Sequence, residues 1–108
     1  PYTGLTDLIL QATKEVDVDA RASMFSNIVC VGGGTLLPGF LDRLSYELSV
    51  AAPSQRIRIH SPGNYTERRH STWLGGSILA SLGTFHQLWI SKQEYEEHGQ
   101  AIVHVRCK

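Results

Sequence analysis

The sequence has 108 residues, of which 42% are apolar and 19% charged, and its ten basic side chains balance ten acidic ones. This composition is typical of a globular domain, because disordered chains combine low hydrophobicity with high net charge. A net charge of zero gives free nucleic acid or an anionic membrane no general attraction to the chain. Two distant cysteines, Cys30 and Cys107, predict no disulfide framework and indicate a reducing compartment.

The first half of the chain alternates between helical and strand patterns. Apolar residues at helical spacing predict a helix over residues 4–13, and Asp19 is a predicted N-cap for a second helix over 20–25. The apolar run 27–31 predicts a buried strand, and strict alternation predicts another over 56–60. Two strands are too few for the helices to cover, so we expect the remaining strands in a longer protein.

Helical patterns dominate the rest of the chain. A helix is predicted from Pro38, where a missing backbone donor is tolerated. Its apolar stripe consists of Phe40, Leu41, Leu44 and Leu48. Residues 77–89 also have helical spacing, with an interruption predicted at Gly83. Ser91 with Glu94 three residues later is a capping-box signature and predicts the start of a further helix.

Three consecutive glycines, residues 32–34, stand between a predicted strand and a predicted helix. In α/β folds this arrangement presents backbone N–H groups to an anion, and glycine lets a ligand approach the backbone closely. The stretch "VGGGTLLPGF" lacks the Gly-Lys-Ser/Thr of a phosphate-binding P-loop and the spacing of a dinucleotide fingerprint. Two interpretations stay open: a ligand-binding loop and a tight strand-to-helix turn.

Several motifs together resemble the actin superfamily. The C-terminal region of actins is similar to "WLGGSILASLGTF", "WISKQEYEE" and "AIVHVRC", while "GGGTLLPGF" and "LDRLSYEL" occur in matching order upstream. The resemblance implies an α/β fold, the C-terminal portion of the ribonuclease-H-like fold shared by actin, Hsp70 and sugar kinases. Residues 1–72 would belong to the inner, subdomain 3-like region of the large half. Residues 73–108 would form the C-terminal helices that return to the small, subdomain 1-like half.

The resemblance also implies ATP as a cofactor, with Mg or Ca held mainly by parts of the protein outside this chain. The matching nucleotide-contacting positions are Gly33, Gly34, Leu36, Leu37 and Arg69. The glycines would approach the nucleotide, the leucines would line its adenine side, and the arginine would lie beside the base. Leu37 and Gly34 depart from actins, which have an aromatic residue and a threonine there. The alternative for the basic cluster 68–70 is a solvated loop.

A hydrophobic partner cleft is a second implication of the resemblance. Its matching positions are Ile78, Leu79, Leu82, Thr84 and Leu88. Grooves of this kind bind an amphipathic helix of a partner, but the same helical spacing also fits core packing. For the basic face of "RIRIH", a solvated strand is favoured over a contact with DNA or histones, because the whole chain is neutral.

Within the superfamily, "NYTERRHSTW" resembles the nuclear actin-related proteins of the fourth class. This resemblance implies a scaffold subunit of chromatin-remodelling or histone-acetyltransferase complexes that binds ATP in the nucleus. Its implied partners are actin and a helical segment of a remodeller ATPase or scaffold subunit, with histones as a further candidate and no membrane partner. We predict no catalytic residue and no metal ligand in this chain. The alternative is a conventional ATP-hydrolysing, filament-forming actin of the cytoplasm and cytoskeleton.

Overall fold

A computed structural model describes residues 3–107 of the chain. These residues fall into two compact units, the first extending to Thr72 and the second beginning at Trp73. The first unit contains four helices and a small parallel sheet, whereas the second is helical in the part of the chain described. The assignment of these units to the large and small halves of an actin fold stays a prediction.

The chain begins with two helices, α1 (Leu5–Lys14) and α2 (Val18–Phe25), which confirm the two predicted helices. The predicted cap was wrong, because α2 starts earlier than expected. Asp17 is the N-cap, although its side chain makes no capping hydrogen bond, and Asp19 lies inside the first turn. There, a carboxylate still interacts favourably with the positive end of the helix dipole.

Two short strands form a parallel pair, β1 (Ile28–Val29) and β2 (Ile59–His60). Ile28 pairs with Ile59, and Val29 with His60. The prediction of a buried strand over 27–31 was wrong in its length and its burial, since Val29 is exposed. The ladder is short because, among the described residues, each strand has a single neighbour, and parallel strands become buried only when layers cover both faces of their sheet.

Alternation in the second strand region is confirmed. Ile57 and Ile59 are half-buried, whereas Arg56, Arg58 and His60 are exposed. The β-ladder itself occupies the last two of these five residues. The arginines therefore face solvent within this unit, as expected for a strand with one polar face.

The helix that connects the strands, α3 (Phe40–Ala51), carries the core of the first unit. Leu44 and Leu48 of the predicted stripe are buried, and Phe25 at the end of α2 is buried as well. The helix starts at Phe40 rather than at Pro38, because Gly39 is its N-cap. Parallel strands require such a crossover, so α3 links the strands covalently while its apolar side forms the core.

A polar contact joins α1 to α3. The hydroxyl of Thr6 donates a hydrogen bond to one carboxylate oxygen of Glu47 at 3.1 Å, and Nε of Arg43 donates to the other at 3.0 Å. The hydrogen bond from Arg43, followed by that from Thr6, lowers the pKa of the Glu47 carboxyl below its ordinary value. The carboxylate therefore stays ionised and keeps both donors in place at neutral pH.

The first unit also contains α4 (Tyr65–Arg69), which the side chain of Asn64 caps. Its carbonyl oxygen accepts hydrogen bonds from the backbone N–H groups of Thr66 and Glu67 at 2.8 and 3.2 Å. A helix this short has little intrinsic stability. The cap satisfies two of its orphan donors and fixes the residue at which it begins.

The second unit begins within α5 (Ser71–Ser81) and continues as short helical segments. These are the 3-10 segment Gly83–Gln87, α6 (Lys92–His98), the 3-10 segment Gly99–Ile102 and α7 (Val103–Arg106). The predicted interruption is confirmed, because α5 ends before Gly83. The predicted cap is confirmed as well, since Ser91 Oγ accepts from the backbone N–H of Glu94 at 3.0 Å.

Packing in the second unit depends on few side chains. Ile102 is its buried apolar residue, and the rings of Phe85 and Trp89 meet edge to face with centroids 5.0 Å apart. Arg106 joins the segments, since its Nη2 donates to the Trp89 carbonyl at 2.8 Å and its Nε lies 3.5 Å from a carboxylate oxygen of Glu94.

The helices of the described chain are short. The longest, α3, has 12 residues, whereas a bilayer-spanning helix needs about 20. Over residues 3–107, no helix combines the length and apolar character needed to cross a membrane.

Replacing Leu48 with alanine should destabilise the protein strongly. Leu48 is 0% exposed, and leucine-to-alanine changes in a core lower the free energy of unfolding by about 2–5 kcal/mol. Val50→Ala on the same helix is the control, because Val50 is 63% exposed and should change that free energy by less than about 0.5 kcal/mol. Urea unfolding of both variants measures the difference, and equal losses would contradict the assignment of the core.

Candidate functional site

The triple glycine forms a compact turn directly after β1. Residues Gly33–Leu36 make one turn of 3-10 helix, and Gly32 precedes it with φ 99° and ψ 159°. This backbone region is almost restricted to glycine. The Gly32 carbonyl accepts from both the backbone N–H and the side-chain hydroxyl of Thr35, at 3.2 and 2.7 Å. The turn therefore requires a glycine at position 32 for conformational reasons.

The other two glycines are not required by the backbone. Neither Gly33 nor Gly34 has a positive φ. A Cβ built on Gly34 meets no atom within 4 Å, and one built on Gly33 meets only Cγ of Arg69, at 3.9 Å. An alanine would thus fit at either position within this chain. Because both residues are glycines, the space beside their exposed backbone is unfilled.

The leucines that follow line a cavity at the start of α3. This cavity has a volume of about 230 Å³ and lies between the loop, the first turn of α3 and Arg68. Its lining residues are Thr35, Leu36, Leu37, Gly39, Phe40, Leu41, Asp42 and Arg68. Leu37 is 66% exposed. Of the predicted nucleotide contacts, Leu36 and Leu37 share this cavity, whereas Gly33 lies against Arg69.

Arg68 is the side chain that the sequence pattern did not single out. Its Nε donates to the Pro62 carbonyl at 3.0 Å, its Nη2 to Ser61 Oγ at 3.2 Å, and its Nη1 to the Thr35 carbonyl at 3.4 Å. Its own carbonyl accepts from the backbone N–H of Gly32 at 2.8 Å. We call this set of contacts the Arg68 clamp. A solvated loop was the wrong interpretation for this residue, which is half-buried.

The two residues after Arg68 lie at the surface. Arg69 is the last residue of α4 and His70 follows it, and both are exposed. Arg69 nevertheless lies beside the loop, because its Cγ is 3.9 Å from where a Cβ on Gly33 would be. The structure thus brings together two of the predicted nucleotide contacts. A guanidinium there is free of acidic partners among the described residues.

A thiol lies close to the clamp. Cys30 follows β1, and its backbone N–H donates to the His60 carbonyl at 2.9 Å. Burial raises the pKa of the Cys30 thiol, while the positive charge of Arg68 opposes part of that rise. The other cysteine, Cys107, is exposed, and both are free thiols. Cys30 is half-buried rather than fully buried, and it reports on the charge of the neighbouring guanidinium.

The predicted partner residues are all at the surface of the second unit. Ile78 and Leu79 lie in the last turn of α5, Leu82 at its break, and Thr84 and Leu88 in and after the following 3-10 segment. Each of the five is exposed. Leu79, for example, is 59% exposed. Packing among the described residues of the second unit therefore does not explain why four of the five are apolar.

Metal ligands are a separate question. Over residues 3–107, no group of three or more His, Cys, Asp or Glu side chains is placed to hold a metal ion. His86, the one histidine beside the aromatic pair, instead accepts from Trp89 Nε1 through its Nδ1 at 3.3 Å. His86 is itself exposed.

Substituting the glycines one at a time should separate their roles. Gly32→Ala places a side chain at a positive φ and should lower the free energy of unfolding by about 1–3 kcal/mol. Gly34→Ala should leave it unchanged or raise it by up to about 1 kcal/mol, because alanine restricts the unfolded chain at no steric cost. Urea unfolding without added ligand measures both, and a loss of stability in Gly34→Ala would contradict the open space described here.

Comparison with known proteins identifies the family. The actin family model matches residues 1–108. A Mycosarcoma maydis protein named actin-related protein 4 is 71% identical over 105 residues, 97% of this chain and 20% of that protein. Proteins of the same name from Emericella nidulans and Schizosaccharomyces pombe are 55% and 52% identical over 108 residues, covering 100% and 97% of this chain.

The chain spans between 20% and 25% of the length of these relatives. Its helices and small parallel sheet accordingly represent part of an actin fold rather than a whole one. Because the family model covers every residue and these identities exceed half of the aligned positions, this chain belongs to the actin family.

Proposed function

We propose that this chain is part of an ATP-binding actin-related scaffold subunit of nuclear chromatin-remodelling or histone-acetyltransferase complexes. The proposed partners are an actin molecule and a helical segment of a remodeller ATPase or scaffold subunit. The shared name of the relatives, actin-related protein 4, supports this class over a conventional filament-forming actin. Contact with histones is assigned to no residue of this chain.

The observation that carries ATP binding is the open backbone at Gly33 and Gly34. Within the chain neither position needs a glycine, and a Cβ on Gly34 would enter space that no neighbouring atom occupies. A close approach of a ligand to the backbone supplies the missing reason for glycine. Arg69 lies at the edge of that space, and a guanidinium can stack on a planar ring. These residues fit the adenosine end of a nucleotide.

The remaining contacts of the nucleotide are proposed to lie elsewhere in the protein. Leu36 and Leu37 line the neighbouring cavity and provide apolar surface for the base. Mg or Ca is proposed to be held by other parts of the protein. Bound ATP would stabilise the folded protein by mass action, because it binds the folded state alone. We assign no catalytic role to any residue here and expect hydrolysis to be weak or absent.

Partner binding is proposed for the exposed apolar positions of the second unit. Ile78 and Leu79 lie in the last turn of α5, and Leu82 follows the end of the helix. Exposed apolar residues of this kind can receive the apolar face of an amphipathic partner helix. Exposed apolar surface that is not used within a domain often marks an interaction site. The proposal therefore places a helical partner segment on the surface defined by residues 78–88.

Gly34→Val in the full-length protein should weaken ATP binding. A branched side chain would occupy the open space above the loop, and we expect at least a tenfold rise in Kd, about 1.4 kcal/mol. Gly4→Val is the control, since a Cβ on Gly4 also meets no atom within 4 Å but lies outside the loop. Equilibrium titration with a fluorescent ATP analogue measures both Kd values. If the unmodified protein shows no saturable binding, the proposal of ATP binding is wrong. If Gly34→Val and Gly4→Val have equal Kd values, the proposed role of the loop is wrong.

Leu79→Asp should reduce recovery of remodeller or acetyltransferase subunits with the tagged protein. An aspartate on an apolar contact surface must be desolvated without a partner, at a cost of about 2 kcal/mol or more. Tyr95→Asp is the control, because Tyr95 is similarly exposed (54%) but lies on α6. Quantitative mass spectrometry of the purified complexes measures recovery, and equal recovery from the two variants would contradict the proposed surface. Sedimentation of the protein as filaments would instead support the conventional-actin alternative.

A further inference from the structure

We propose that Arg68 is a positioning residue for the nucleotide site, holding the glycine turn against the 61–64 segment so that Arg69 stays beside Gly33. This inference rests on the proposed ATP binding and deepens it. Arg68 itself need not contact the nucleotide. It would act through the backbone of the turn and through its neighbour on α4.

The contacts of the clamp reach two segments that are far apart in the sequence, the glycine turn and the 61–64 segment. The guanidinium reaches the carbonyls of Pro62 and Thr35 and the hydroxyl of Ser61 at distances of 3.0 to 3.4 Å. The backbone of Arg68 adds the 2.8 Å hydrogen bond from the N–H of Gly32. Only a planar, forked donor can serve three acceptors in these directions, because a lysine ammonium is a single point on a flexible stem.

Removing the clamp would affect Arg69 more than the helix itself. The N-terminus of α4 is held independently, since the Asn64 side chain caps it. Its C-terminal end is joined to the glycine turn through Arg68, and Arg69 is the next residue. Without the side-chain contacts of Arg68, the backbone hydrogen bond from Gly32 still joins this end of α4 to the turn, but the turn loses its link to the 61–64 segment and Arg69 is held less firmly beside Gly33. A binding site whose supporting residues are lost becomes too loose to hold its ligand in one geometry.

Cys30 provides a reporter that needs no nucleotide. The positive charge of Arg68 holds the pKa of the Cys30 thiol lower than burial alone would set it. If the guanidinium lies where the hydrogen bonds place it, Arg68→Gln should reduce the thiolate fraction and slow alkylation of Cys30, because the thiolate is the reactive form. Arg69→Gln should leave that rate unchanged. Mass spectrometry of the peptide containing Cys30 follows the reaction.

The decisive experiment measures binding of a fluorescent ATP analogue to the full-length protein and five variants: Arg68→Gln, Arg68→Lys, Arg69→Ala, the double variant Arg68→Gln/Arg69→Ala, and Arg43→Gln. Arg68→Gln and Arg68→Lys should each raise Kd about tenfold. In an Arg69→Ala background, Arg68→Gln should raise Kd further by less than about threefold, because the effects of coupled residues are not additive. Arg43→Gln is the matched control, an exposed arginine whose side chain pairs with Glu47 on α3. A merely structural arginine would produce the same loss with and without Arg69.

The possible outcomes test the positioning role of Arg68 separately from the proposed ATP binding. Absence of saturable binding to the unmodified protein overturns the proposed ATP binding and, with it, this inference. Tight binding by both the unmodified protein and Arg68→Lys overturns the inference alone. Since Arg68→Gln could reduce folding, amide hydrogen exchange of the unmodified protein provides a second test. Added ATP should slow exchange in residues 32–35, and unchanged exchange there despite binding would also overturn the inference.

Discussion

The hydrogen bonds of the Arg68 guanidinium determine the geometry of the candidate nucleotide site. They join the glycine turn to the 61–64 segment, while the main chain of the same residue accepts from Gly32. A loop with three glycines loses more conformational entropy on folding than most loops. The contacts made by the side chain and by the backbone of Arg68 offset part of that entropy cost.

The glycine triplet illustrates why one motif can have two physical causes. Gly32 is needed because its backbone occupies a region that side chains rarely adopt. Gly33 and Gly34 have ordinary backbone angles and unfilled surroundings, so no steric contact within the described chain requires glycine at either position. The sequence offered a turn and a ligand loop as alternatives. The turn accounts for the first glycine, and a bound ligand is our proposal for the other two.

Features that depend on residues close together in the sequence could be predicted, whereas contacts between distant residues could not. The stripe that ends in Leu44 and Leu48 is buried, and the Ser91 cap forms; both were predictable because the apolar spacing and the capping pair are each written within one or two turns of sequence. The start of α2 was missed by two residues, since Asp17 and Asp19 are equally good capping types. Arg68 could not be recognised at all, because its acceptor at Thr35 is 33 residues away and no local pattern encodes that distance.

Adjacent arginines on α4 take different places because of where that helix begins. Successive residues of a helix point about 100° apart, so Arg68 faces the glycine turn while Arg69 remains at the surface. The register is set at the other end, where the side chain of Asn64 accepts from two backbone N–H groups. A start one residue later would put Arg69 in the place of Arg68 and His70 in the place of Arg69. The amide of Asn64 therefore selects, through a single cap, which guanidinium supports the loop and which one faces the proposed nucleotide.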